Sequence, residues 1–348
     1  MKTMLAARLI AAGQPLSIEE MPVPEPAPDE VLIEVAACGL CGTDLHLAVA
    51  GDLPVARTPI TLGHEGAGTV AALGREVKGL REGDRVVLFP AASCGACRFC
   101  LQGRESLCDA SSVYGMARDG ALAEYIAAPA RCTIALPATV PFDVGAIVTD
   151  GVSTPFHALR SRGAFRAGET VAVVGCGGLG THAIILARLM GAAYIVAVDV
   201  NGEALARARS LGADLAVNTN EEDAVKTVRK RVGGVDLALE FVGIPQTVET
   251  ALRLIDKGGR AVLVGVGTGR ASLPPLLSFV GREQSVIGSF GMDRRDIVDL
   301  FALIAGGRLD LTQSVSARYP LEQADAALQH LAKKDSGVVR VVVVPHRR

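Results

Sequence analysis

A chain of 348 residues is long enough for about two domains, and with 49% of them apolar it is not a disordered chain. Its 35 basic and 37 acidic residues are well mixed and leave a net charge of −2, which excludes a basic nucleic-acid stripe and a like-charged interaction tail. No apolar run approaches the roughly 20 residues of a membrane span, and the eight cysteines, without an export signal, point to thiols used for metal in a reducing cytoplasm.

The first segment, Met4 to Ala12, is apolar but interrupted by Arg8 and has no cleavage site, so it reads as an opening strand and not a signal peptide. Pro22, Pro24, Pro26 and Pro28 then form a stiff extended lead-in. Short strands cut by glycine and proline follow at residues 31–35, 68–73 and 85–89, the rhythm of an all-β, barrel-like domain.

Within this region Cys94, Cys97, Cys100 and Cys108 make a C-x2-C-x2-C-x7-C cluster in one glycine-bearing loop. Four thiols at that spacing suit a closed tetrahedral zinc site of structural type. A ferredoxin-type run would place its fourth cysteine three residues on, followed by proline, whereas here Asp109 follows a gap of seven. Disulfides would require an oxidising compartment that nothing in the chain indicates.

After Gly151 the pattern changes to strand, glycine turn, helix, strand. Apolar strands are expected at 171–174, 194–198, 237–239 and 261–264, with helices at 184–190 and 203–211. Continuously apolar strands alternating with helices predict a doubly wound parallel sheet. Residues 338–344 return to β character and are expected to rejoin the first domain.

The glycine turn carries the chemistry of the second half. Gly175-Cys176-Gly177-Gly178-Leu179-Gly180 follows a strand and opens a helix, the context in which a GxGxxG pattern binds a dinucleotide. Gly175 makes the turn, Gly177 lets the pyrophosphate approach, and Gly180 lets helix and strand pack closely. Asp199 ends the next strand 24 residues after Gly175, where its carboxylate can accept from the adenosine ribose and repel a 2′-phosphate. NAD is therefore expected in preference to NADP. Cys176 reads as a small apolar residue and His182 as a packed one.

Two further segments are Cys38-Gly39-Leu40-Cys41-Gly42-Thr43-Asp44-Leu45-His46 and Gly63-His64-Glu65-Gly66-Ala67-Gly68. Together with the four-cysteine loop and the dinucleotide motif, the set resembles the zinc-containing medium-chain alcohol dehydrogenase family over essentially the whole chain. The resemblance implies an α/β protein: a GroES-like β-barrel catalytic domain, residues 1–152 with 292–348, and a Rossmann domain, residues 153–291. It implies two zinc ions per chain, one catalytic and one structural, with Cys41 and His64 as ligands of the catalytic ion. Asp150 is the expected third ligand, and Glu65, adjacent to His64, is its rival. Thr43 resembles the family's relay hydroxyl, and His46 the outer imidazole that passes the proton to solvent, a role suited to an unperturbed pKa near 6.5; outside the motif His46 would read as a surface or packed residue. Arg340 resembles an arginine that reaches the cofactor pyrophosphate, the alternative being a surface charge on an edge strand. Val266, just past the strand at 261–264, is assigned to the cofactor site with it. Cys38 and Asp44 are expected to be structural.

The implied activity is hydride transfer between an alcohol and NAD, with a secondary or cyclic alcohol or the matching ketone as first choice of substrate, then a polyol, then a hydroxyacyl-CoA. Leu47, Val49, Tyr114, Phe290 and Met292 are expected to line an apolar pocket. A zinc-free quinone reductase or crystallin-like binding protein would lack the metal ligands that this chain has, and a zinc-binding interaction module would not need the glycine loop and Asp199. The expected partners are a small-molecule substrate and further copies of the chain, as a tetramer or a dimer, with no nucleic acid and no membrane.

Overall fold

The strand Glu30–Leu40 organises the first half of the molecule in this computed structural model, which describes residues 2–333 and 337–346. One of its edges pairs with Glu65–Leu73 along most of its length. Its other edge takes Tyr125–Pro129 at the beginning and Arg340–Val344 at the end. With Arg85–Leu88, Thr133–Ala135 and Val315–Pro320 these make a seven-stranded sheet, and Ser17–Pro22, Thr3–Leu9 and Ile60–Thr61 make a second, three-stranded one. The β-rich reading of the first half and the return of the C-terminal strand to it are both borne out. Burial explains the sequence pattern: Val31, Leu32, Ile33 and Val35 are buried while Glu30, Glu34 and Ala36 are half-buried, whereas Val341, Val342 and Val343 are all buried because their strand lies inside the sheet.

The chain divides into two compact units, Met1–Gly151 with Met292–Arg348 and Val152–Gly291. The second unit holds a six-stranded, all-parallel sheet of Thr170–Val174, Tyr194–Asp199, Leu215–Asn218, Val235–Glu240, Ile255–Leu263 and Ser285–Gly288. Counting strands within the unit, their spatial order is 3-2-1-4-5-6, the doubly wound order with its switch point beside the first strand. Val171, Val173, Val196 and Leu239 are fully buried, as expected for strands covered on both faces.

The helix expected at 184–190 begins earlier, at Gly178, and runs to Leu189. Its first turn is glycine-rich, so hydrophobic periodicity had no side chains from which to detect it. Among the described residues no helix is long and apolar enough to cross a membrane.

Candidate metal centre and glycine loop

Three strand ends and one helix converge on a buried cluster in the first unit. Cys41 follows the last residue of Glu30–Leu40, His64 and Glu65 open Glu65–Leu73, and Arg340 opens Arg340–Val344. Register places Gly39 opposite Glu65, and Val341 opposite Leu40. The helical run from Phe142 widens at Val148–Val152, where Asp150 lies. Such wide turns re-aim side chains and are frequent at functional sites.

One ligand atom each from Cys41, His64, Glu65 and Asp150 falls within 4.8 Å of the others. Asp150 Oδ2 is 3.1 Å from Cys41 Sγ and 3.4 Å from His64 Nε2. A tetrahedral zinc with bonds of about 2.0–2.3 Å has ligand–ligand edges of roughly 3.3–3.8 Å. The His64–Asp150 separation falls in that range and the Cys41–Asp150 separation is shorter than it, so the donors lie close enough together to converge on one ion. His64 Nδ1, Asp44 Oδ1 and Glu65 Oε2 are buried without hydrogen-bond partners among the described atoms. Asp44 also accepts from the Cys41 backbone N–H at 2.8 Å and sets Oδ1 4.0 Å from His64 Nδ1. A carboxylate behind a ligating imidazole orients the ring and fixes its tautomer. Asp44 is thus structural in the sense expected.

The electrostatics are those of a site built for a cation. Burial, then the Asp150 charge, raises the Cys41 thiol above its ordinary value. Burial pulls His64 downward, but hydrogen bonds to Asp150 and Cys41 and the charge of Asp44 carry it well above the usual imidazole range. Glu65 is pushed to about 7 by burial, against the pull of Arg340. Each shift records anionic donors crowded together away from water.

Arg340 corrects one expectation. Its strand is interior to the sheet, and its guanidinium, 3% exposed, donates to Glu65 Oε1 and lies against Gly151, so it is no surface charge on an edge strand.

The four-cysteine loop projects from the two-stranded ribbon of Ala91–Ala92 and Ser112–Val113, and Arg131 Nε anchors it by donating to the Ser93 carbonyl. All four cysteines are unpaired thiols with sulfur atoms mutually within 4.8 Å. Cys94 and Cys97 lie 3.9 and 3.6 Å from Cys100, matching the about 3.8 Å edge of a ZnS4 tetrahedron. Backbone N–H groups of Cys94, Ala96 and Cys97 point at sulfur, an arrangement that favours thiolates.

In the second unit Gly175 sits at φ +90, and a Cβ on Gly180 would lie 1.9 Å from the Gly175 carbonyl oxygen. Gly177 differs: a Cβ there would meet nothing within 4 Å. The protein itself leaves that space open, as a phosphate-binding turn requires. Asp199 Oδ2 accepts from the Cys176 N–H at 2.6 Å and Oδ1 from the Asn201 N–H at 2.8 Å. The Cys176 carbonyl accepts from Thr181 Oγ1 and Arg207 Nη2. Gly178 and Leu179 form the first helical turn beyond it, and Val266 is exposed after Ile255–Leu263. Sequence reading missed Arg207 and Thr181; a cation eight residues after Asp199 was the available signal.

Thr43 Oγ1 is 3.8 Å from Cys41 Sγ. His46 is half-exposed, with Nδ1 2.9 Å from Asp52 Oδ1. The residues expected to line an apolar pocket divide: Leu47, Tyr114 and Met292 are buried, Val49 and Phe290 exposed.

Comparison with known proteins agrees with this geometry. The family model described as an alcohol dehydrogenase GroES-like domain matches residues 27–138, and that of a zinc-binding dehydrogenase matches residues 178–306. An alcohol dehydrogenase of Geobacillus stearothermophilus is 35% identical over 332 residues, 95% of this chain and 96% of its own. The structure of an alcohol dehydrogenase from Thermus sp. ATN1 matches with a TM-score of 0.90 at 33% identity, covering 98% of this chain and 99% of that one. A zinc-binding dehydrogenase of Sinorhizobium meliloti 1021, solved bound to NADP, matches with a TM-score of 0.89 at 33% identity, covering 99% and 100%.

Proposed function

Because the chain belongs to the zinc-containing medium-chain alcohol dehydrogenase family, we propose that it transfers hydride between a secondary or cyclic alcohol and NAD, or in reverse from NADH to a ketone. The observation that carries this reading is the convergence of Cys41, His64 and Asp150 on one point inside the first unit. Zinc held there by these residues would supply Lewis acidity to the substrate oxygen, and a nicotinamide cofactor would supply the hydride chemistry.

The chain's own residues have separable tasks. Asp150 is our third ligand because its Oδ2 approaches both Cys41 and His64, while Glu65 Oε1 is engaged by Arg340. Thiolate, carboxylate and neutral imidazole balance a divalent charge. Thr43 and His46 carry the released proton outward. The open space at Gly177 and the N-terminus of the Gly178–Leu189 helix receive the pyrophosphate, and Asp199 selects NAD by charge.

Assembly is through a second copy of the chain, placed in the cytoplasm by the same thiol usage. Its support is the free edge of Ser285–Gly288 beside a helix whose Leu276, Leu277 and Val280 are 69–90% exposed.

The test follows nicotinamide absorbance across alcohols, ketones and polyols, with NAD and NADP in parallel, before and after chelation. Zinc content of Asp150→Ala and Glu65→Ala is measured alongside. Turnover that favours NAD, is lost on chelation, and is accompanied by loss of one zinc in Asp150→Ala is expected. Turnover surviving complete removal of that zinc, or full zinc and activity in Asp150→Ala, overturns the reading.

A further inference from the structure

His46 and Asp52 are brought together by a local backbone device. The turn His46–Ala50 ends on Gly51 in the left-handed conformation, φ 68. The N–H groups of Gly51 and Asp52 both return to the His46 carbonyl, the latter at 3.2 Å. Such a cap folds the residue after the glycine back over the last helical turn. A side chain at Gly51 would meet Ala12 Cβ at 2.9 Å, so glycine is required by both φ and space. The result sets Asp52 Oδ1 and Oδ2 2.9 and 3.1 Å from His46 Nδ1.

We propose that Asp52 is a positioning residue for the proton relay: it holds the Nδ1–H of His46 and thereby leaves Nε2 as the atom that exchanges protons. The inference rests on the relay role of His46 proposed above. In alcohol oxidation neutral His46 accepts the proton at Nε2 from the hydroxyl relay, becoming an imidazolium that faces the Asp52 carboxylate. Nε2 then returns the proton to water, so His46 ends as it began and no electrons move. Asp52 keeps the base in one tautomer and orientation.

Among the described residues no other charged group competes for this ring. Asp44, on the preceding turn, is buried against Cys41 N and His64. The helix Ala324–Ala332, which packs on Gly42–Leu45, carries Asp325, given to the Leu16 N–H, and His330, 3.0 Å from the Tyr319 hydroxyl. The segment around Gly13, bonded to the Ala48 carbonyl, bears no charge at residues 11–13.

The test combines imidazole 15N NMR of the full-length zinc-loaded protein, with His46→Gln as the assignment control, and pH profiles of kcat/KM for Asp52→Asn, Asp52→Glu, His46→Gln and the double variant. The expected spectrum has Nδ1 protonated in neutral His46, a preference weakened in Asp52→Asn and kept in Asp52→Glu. Asp52→Asn is expected to lower kcat/KM for alcohol oxidation roughly two- to five-fold, the scale of an exposed ion pair. Its zinc content and NADH affinity should not change, and it should add nothing in the His46→Gln background. An Nε2-protonated tautomer in the wild type, or a loss in Asp52→Asn that adds fully to that of His46→Gln, overturns the proposal. His46→Gln with undiminished rate at every pH overturns the relay reading itself and removes the role given to Asp52.

Discussion

Arg340 donates to Glu65 Oε1 across two adjacent strand ends, and the two side chains are 3% and 0% exposed. A carboxylate so buried stays tolerable only beside a counter-charge. Replacing Arg340 with Met should cost about 3–5 kcal/mol, because it leaves an uncompensated acid and not because the pair is itself worth that much. Adding Glu65→Gln should recover part of the loss. The sign with pH follows from a carboxyl raised from 4.5 to about 7 by burial. Protonation is favoured in the fold, so the group's contribution to stability is fully present below 4.5 and is lost as pH rises through about 7. Urea unfolding of metal-free Arg340→Met should therefore show its largest deficit above neutrality and a smaller one near pH 5.

Gly177→Ala and Gly180→Ala separate two reasons for glycine in one loop. At Gly180 the new methyl meets the Gly175 carbonyl at 1.9 Å, so stability should fall by about 1–3 kcal/mol. At Gly177 nothing stands within 4 Å, and unfolding should change by no more than about 0.5 kcal/mol. NADH affinity should still fall at least ~10-fold, or about 1.4 kcal/mol, because the methyl occupies the approach of the pyrophosphate. Thermal melts and NADH fluorescence titration check the pair.

Asp199→Gly should do two things at once. Removing the carboxylate orphans the Cys176 and Asn201 N–H groups, which loosens the glycine loop. It also removes the repulsion of a 2′-phosphate. Charge-assisted hydrogen bonds are worth about 1.5–3 kcal/mol, so kcat/KM with NAD should drop about 10- to 150-fold while that with NADP drops far less. A variant with unchanged cofactor preference would contradict the role given to Asp199.

Metal removal should expose a ranked set of thiols in the Cys94–Cys108 loop. Without zinc, hydrogen bonding from the Cys100 backbone lowers Cys97 to about 6, whereas burial pushes Cys100 to about 12. Iodoacetamide at pH 7 should label Cys97 well before Cys100, and zinc added beforehand should block both. Peptide mapping of the labelled protein reads the order.

Much of this molecule was decided locally in the chain. Four cysteines within one loop can reach a common point whatever surrounds them, so Cys94, Cys97, Cys100 and Cys108 were legible from spacing. A glycine turn between an apolar strand and a helix is likewise a local device, and so is the acid ending the next strand. The first unit's buried cluster is different. Cys41, His64, Asp150 and Arg340 are separated by up to 299 residues, the difference between positions 340 and 41, and they meet because three strand ends and a widened helical turn coincide. Resemblance supplied the names of those residues, but only strand register shows that Arg340 is no surface charge on an edge strand but the buried partner of Glu65. The same holds for Asp52 and Arg207: their chemistry depends on a carbonyl or ring delivered by a backbone turn. Sequence carries spacing and composition, whereas which polar groups face one another in the absence of water is decided by packing.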